Sequence, residues 1–224
     1  MSAEGAWNEA GLSKGRLEAL TDGVFAIVLT LLVLDIRVPE IPPAMVSEEL
    51  MTRLFLLWPK ILGYAISFVI LGVYWVGHHA IFHYIRRSDR VLLWLNMFFL
   101  MAVAFVPFSA ALFSAYGRQP TAVRIYGYNQ LAAGLCLYAQ WWHATRGHRL
   151  VDHDLDRRVI RAAGVRILTA PALYLGAIAL ASVQPVLSTL TYLLVPLFYI
   201  LPGRIDRHWG GGRGLDPSPP RRSR

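Results

Sequence analysis

Six apolar blocks, each long enough to cross a bilayer, recur along the chain at about 17–36, 55–83, 91–115, 122–142, 163–183 and 186–202. No other feature restricts the fold as much. A hydrocarbon interior admits only backbones that satisfy their own hydrogen bonds, which means helices or closed barrels. A helix needs roughly 20 residues to cross a core of ~30 Å, and the blocks lack the alternating pattern of a barrel strand. The expected fold is an all-α integral membrane protein with six transmembrane helices per subunit. Block two exceeds the required length, and block six is short and interrupted by Pro196.

Composition agrees with this. Of 224 residues, 55% are hydrophobic and only 16% charged, well under the charged fraction of soluble domains. The formal charge of +8 raises nucleic acid as a partner, but the arginines flank apolar blocks and form no polar face, so no nucleic acid is expected. With the N-terminus inside, seventeen of the 22 lysines and arginines fall on inner segments and five, Arg37, Arg53, Lys60, Arg118 and Arg124, on outer ones. The positive-inside rule then places both termini in the cytoplasm of a multi-pass cell-membrane protein. The single cysteine, Cys136, permits no disulfide within one chain and no cysteine metal site. Residues 1–15 lack the basic-then-apolar pattern of a signal peptide and read as a cytoplasmic lead-in. Residues 16–203 form the six-helix domain, and the Gly/Pro/Arg-rich stretch 204–224 reads as a disordered basic tail.

Two connecting segments carry charge. DIRVPEIPPAMVSEEL, between blocks one and two, reads as an outward acidic loop. HATRGHRLVDHDLDRR, between blocks four and five, mixes histidines and acids. His148, Asp152, His153, Asp154 and Asp156 admit a metal reading, while a solvated, self-paired cytoplasmic loop is the plainer one. Blocks one to three hold nearly all the polar groups at membrane depth, and blocks four to six read as blander packing.

Block one carries Arg16, Glu18 and Asp22 on its first turns. A carboxylate inside a spanning helix is costly and needs a partner. Asp22 lies six residues past Arg16, about 9 Å along the axis, and Asn96 lies as far past Arg90 in a block entering from the same side. Trp75 and His78 close the inner end of block two. Topology therefore brings Arg16, Thr21, Asp22, Trp75, His78 and Asn96 towards one depth. The cluster can serve as a structural clamp, which is the favoured reading, or as a proton relay. A haem site lacks histidines on facing helices, and no cofactor is expected. Further along, Ile27, Leu31 and Leu34 share a stripe at i, i+4 and i+7. By periodicity alone that is lipid contact or core packing. Thr30 lies beside it, its hydroxyl within reach of the carbonyl four residues earlier.

The segment RLEALTDGVFAIVLTLLVLDI resembles the opening-helix signature of the transmembrane protein 175 family of potassium channels, an Arg-x-x-x-Phe-Ser-Asp motif. It maps onto Arg16, Leu20, Thr21 and Asp22, with Leu20 in place of Phe and Thr21 in place of Ser. YWVGHHAIF is similar to the family's Trp-x-x-His at the end of its second helix, and LNMFFLMAVAFVPFSAALF to its third, with an early Asn and a later Pro-Phe. The resemblance implies a prokaryotic single-unit subunit of six helices, assembling as a homotetramer around a central path lined by helix one. Potassium is then the permeant ion. No TVGYG filter occurs, so the resemblance assigns the constriction to apolar rings at Ile27, Leu31 and Leu34, with Thr30 as a hydroxyl layer. The competing reading is a proton-coupled secondary transporter using Asp22 and His78. For a membrane enzyme there is no nucleophile constellation.

Overall fold

A computed structural model of the chain describes residues 13–200. Helix α1 (Lys14–Leu31) tightens into a 3-10 turn at Leu32–Asp35. A second 3-10 turn, Pro43–Met45, leads into α2 (Val46–Leu56). There follow α3 (Trp58–Tyr84), α4 (Arg90–Ala104), α5 (Val106–Tyr116) and α6 (Pro120–Thr145). Helices α7 (Arg157–Leu180) and α8 (Pro185–Ile200) complete the described chain. The helix boundaries have local causes. The Asp89 carboxylate caps α4 by accepting the Leu92 amide at 2.8 Å, and Asp156 caps α7 through the Arg158 amide at 2.7 Å. Pro120 and Pro185 open α6 and α8, where a missing N–H costs nothing.

Several boundaries differ from the sequence reading. Block two does not begin at residue 55: the chain breaks at Leu57, just before Pro59, which separates α2 from α3. The segment between blocks one and two is therefore no plain loop, since its second half is the helix α2. Block three is kinked at Phe105, two residues ahead of Pro107, and Arg90–Tyr116 behaves as one bent span. Block five starts six residues earlier than expected, at Arg157. Pro196 lies inside α8 without ending it. Among the described residues, four segments are long and apolar enough to cross a membrane: Lys14–Asp35, Trp58–Tyr84, Arg90–Tyr116 and Arg157–Leu180. Helix α6 has the length, with 26 residues, but not the hydropathy, and α8 is apolar but has 16 residues. The lead-in up to residue 12 and the tail 204–224 lie outside the described residues.

Helix α6 is the hub of the bundle. It packs against α7, α4 and α5, while α1 leans on α3 and α4, and α8 on α7 and α3. This corrects the reading of the second half as bland. Asn129, Gln130, Gln140, His143 and Thr145 of α6 are all buried. Only a narrow stripe of α6, through Tyr128, Leu135 and Trp142, is exposed, so most of its sequence faces protein and need not be apolar. Its polar groups tie the bundle together: Asn129 Nδ2 donates to Ser109 Oγ at 3.0 Å, Tyr74 donates to the Gln130 carbonyl at 2.6 Å, and the Ser67 and Tyr126 hydroxyls pair at 3.1 Å. Tyr126 stacks on Phe113 at 4.8 Å and meets Tyr192 edge-on at 5.3 Å. The close approach of α6 to α7 requires glycine at 134, where a Cβ would lie 2.8 Å from Cγ of Pro171.

The connection between α3 and α4 and the one between α6 and α7 are sewn to each other. Ile85 and Val151 form an antiparallel bridge, the Arg86 amide donates to the Leu150 carbonyl at 2.8 Å, and Arg86 pairs with Asp152 at 2.9 Å. His143 Nε2 lies 2.9 Å from the Asp89 carboxylate. Leu150 and Val151 are buried, so the middle of this connection is anchored in the core and only its flanks are solvated.

Candidate functional site

Helix α1 divides lengthwise. Leu17, Thr21, Phe25 and Val28, spaced by four, four and three residues, form its buried face, and Leu32 extends it. Arg16, Ala19, Leu20, Gly23 and Ala26 are exposed, as are Ile27, Thr30, Leu31 and Leu34. Helix α1 is thus held on one side and left bare on the other.

Four hydrogen bonds do the holding. His78 Nε2 lies 3.0 Å from Asn96 Oδ1, Asn96 Nδ2 donates to Thr21 Oγ1 at 3.0 Å, and Thr21 donates to the Leu17 carbonyl at 2.9 Å. This chain runs from α3 through α4 into α1 and is buried throughout. Its direction is determined at each link. An amide oxygen accepts, so His78 must carry its proton on Nε2, and the Asn96 amide then donates to a hydroxyl whose own proton is committed to the backbone. Beside it, Trp75 Nε1 donates to Asp22 Oδ1 at 2.8 Å, in an exposed position. The costly carboxylate therefore has an indole partner from α3. Asp22 and His78 are not bonded to each other. Arg16 lies on the exposed side of α1.

One layer around this cluster was missed in the sequence. The His78 ring stacks on Phe82 at 4.1 Å and on Phe99 at 5.6 Å, and Phe99 meets Phe25 at 5.9 Å. Phe25, Phe82 and Phe99 lie four, four and three residues after Thr21, His78 and Asn96, so each polar residue has its aromatic guard on the next turn of its own helix. That spacing was the available signal. The aromatic shell keeps water from the chain of hydrogen bonds and raises the cost of breaking it.

On the bare side, Ile27 is 60%, Leu31 43% and Leu34 67% exposed. Leu34 lies in the 3-10 turn, where residues advance by about 120° instead of 100°, so the stripe is not a single α-helical i, i+4, i+7 line. Thr30 bonds to the carbonyl of Ile27 at 2.7 Å, three residues back and not four. Its hydroxyl proton is thereby occupied, leaving oxygen lone pairs to the exposed side.

Among the described residues, no three His, Cys, Asp or Glu side chains gather as metal ligands. In the 143–158 connection, Asp152 is engaged by Arg86, Asp156 caps α7, and His148 Nε2 lies 3.3 Å from the Leu155 carbonyl.

The profile of the family described as "Endosomal/lysosomal potassium channel TMEM175" matches residues 16–107, which span α1, the polar cluster and the kink at Phe105. A protein named potassium channel from Streptomyces collinus is 38% identical over 189 residues, covering 83% of this chain and 90% of the relative. The crystal structure of a lysosomal potassium-selective channel TMEM175 homolog from Chamaesiphon minutus superposes with a TM-score of 0.74 at 34% identity, covering 84% of this chain and 96% of that one. The human endosomal/lysosomal proton channel TMEM175 is 40% identical over 114 residues, 49% of this chain but 23% of the human protein. With this agreement along most of its length, in sequence and in fold, the chain belongs to the TMEM175 family, a family of ion channels and not of enzymes.

Proposed function

We propose that the chain is a potassium-permeable channel of the cell membrane, four copies of which surround a central path lined by α1. The observation that carries this reading is the division of α1: its inner face is bonded into α3 and α4, while Ile27, Leu31 and Leu34 are left uncovered by their own chain. Copies meeting around an axis would bring these side chains into rings. A ring of four branched side chains closes a path by dewetting, and a small widening rehydrates it. Such rings supply no ligand cage for a dehydrated ion, so selectivity is expected to be modest. Each subunit then spans six times, with the largely buried α6 and the short α8 completing the set, and with both termini on the arginine-rich inner side.

The cluster of Thr21, Asp22, Trp75, His78 and Asn96, with Arg16 at its entrance, acts in this reading as a clamp that sets the rotation of α1 and thereby the radius of the path. A proton relay is less well supported. The buried chain passes through the Asn96 amide, which neither gains nor loses a proton in this pH range, and Asp22 bonds to Trp75, not to His78. The test is flux. Purified protein in liposomes should pass potassium down its voltage and concentration gradients with no proton gradient imposed. Flux that appears only when a proton gradient is applied would assign the chain to the carrier class. The name of the human relative makes proton the ion to measure alongside potassium in the same vesicles.

A further inference from the structure

A partly open cavity of about 730 Å³ runs between α3, α6, α7 and α8, on the opposite side of α3 from the clamp. Its walls extend along α3 from Val69 to Tyr84, about 22 Å at 1.5 Å per residue, which exceeds half the thickness of a bilayer core. The lining is overwhelmingly aliphatic and aromatic. Small residues, among them Gly72, Gly77 and Ala163, keep it wide. Tyr74 and Tyr174 also line the wall, but the charged groups lie towards one end, where α3 and α6 finish and α7 begins. There Arg158 and Arg166 lie on the wall, with Tyr84 and Tyr199 nearby, and the Arg166 guanidinium lies 5.9 Å from the Tyr199 ring centre. Among the described residues, no carboxylate lines the cavity.

We propose that this cavity binds one anionic phospholipid per subunit, an acyl chain filling the apolar slot and the phosphate held by Arg158 and Arg166. The chemistry at each end selects this occupant. A long dry slot in a membrane protein is filled by hydrocarbon, since an unfilled one forfeits dispersion contacts along its whole wall. Arginine offers a planar fork that matches phosphate oxygens. Arg158 and Arg166 both line the cavity, eight residues apart on α7, about 12 Å along its axis, a span that two long arginine side chains reaching towards each other can share across one headgroup. Arg87, Arg146 and Arg149 in the adjoining connections add positive charge to the same end, where Arg86 is already paired with Asp152; the surplus attracts anionic over zwitterionic lipid and disfavours the chain's own basic tail as occupant. The assignment does not depend on ion conduction.

Native mass spectrometry of the full chain in detergent, titrated with dioleoylphosphatidylglycerol or dioleoylphosphatidylcholine, tests it. Phosphatidylglycerol should be retained at one per subunit and released at higher collision energy than phosphatidylcholine. Arg158→Gln, at the exposed start of α7, should weaken phosphatidylglycerol retention roughly fivefold, the worth of one arginine near an anionic headgroup, and leave phosphatidylcholine unchanged. Gly72→Leu should reduce retention of both lipids, because a side chain at Gly72 meets nothing within 4 Å and so enters the slot without disturbing its walls. Equal retention of the two lipids by the parent chain would overturn the proposal. So would an effect of only one of the two substitutions, which would leave either a surface charge effect or a slot without a headgroup site. Phosphatidylglycerol binding only after deletion of residues 201–224 would give the cavity to the tail and likewise overturn it.

Discussion

Thr21, Asn96 and His78 are linked so that each donor has one acceptor, and removing the middle member orphans His78 and leaves Thr21 only its bond to the Leu17 carbonyl. Asn96→Leu should therefore lower the stability of the purified protein by about 1–2 kcal/mol, read as a fall in melting temperature. Trp75→Phe, which breaks the exposed bond to Asp22, should cost less. Equal shifts would mean that burial is not what makes the chain count. On the other face of α1, Ile27→Asn or Leu31→Asn should raise basal potassium conductance, because an amide ring stays wet where an alkyl ring dries. Unchanged conductance in both would remove the stripe from the ion path. The depth of Asn96 and His78 was legible from helical rise and the order of the blocks. The exposure of Asp22 and the stacking of Phe82 and Phe99 on His78 were not, because they depend on how each helix is turned about its axis. Thr30 shows the limit at one residue: its composition offered a back-bond, but the tightening of the helix end selected the carbonyl of Ile27.

At the scale of elements, hydropathy reports lipid contact, not burial. It finds α1, α3, the bent pair α4–α5 and α7, and it underrates α6, most of whose surface meets other helices. Gln130 and Gln140 illustrate the point. Both amides are fully buried, and neither has a hydrogen-bond partner among the described residues. Replacing an unpartnered buried amide by an isosteric alkyl group is neutral or stabilising, so Gln140→Leu should leave the melting temperature unchanged or raise it. A clear fall would show that the amide holds an ordered water or a group from another subunit. Gly134 gives the opposite expectation. A Cβ there would meet the rigid Pro171 ring at 2.8 Å, and Gly134→Ala should cost about 1–3 kcal/mol by forcing α6 and α7 apart. Prolines 59 and 107 could be read as breaks in blocks two and three, yet whether a proline kinks or ends a helix is settled by packing. Pro171 and Pro196 are accommodated inside helices.

For the whole molecule, a path along α1 requires that copies assemble, since α1 is bare on one face of an apolar span and a path lined by one helix per subunit needs several copies. Light scattering of the purified protein should give four copies, and a stable monomer would contradict the assembly. The clearest measurement uses two neighbouring residues with opposite burial. Ile27 is 60% exposed and Val28 3%, and the chain's single cysteine, Cys136, can be replaced by serine. In that background, a thiol-reactive cation applied during bilayer recording should block potassium current through Ile27→Cys and leave Val28→Cys unaffected. Current through Ile27→Cys that survives complete modification of the thiol would mean that the exposed face of α1 meets lipid and not the ion path.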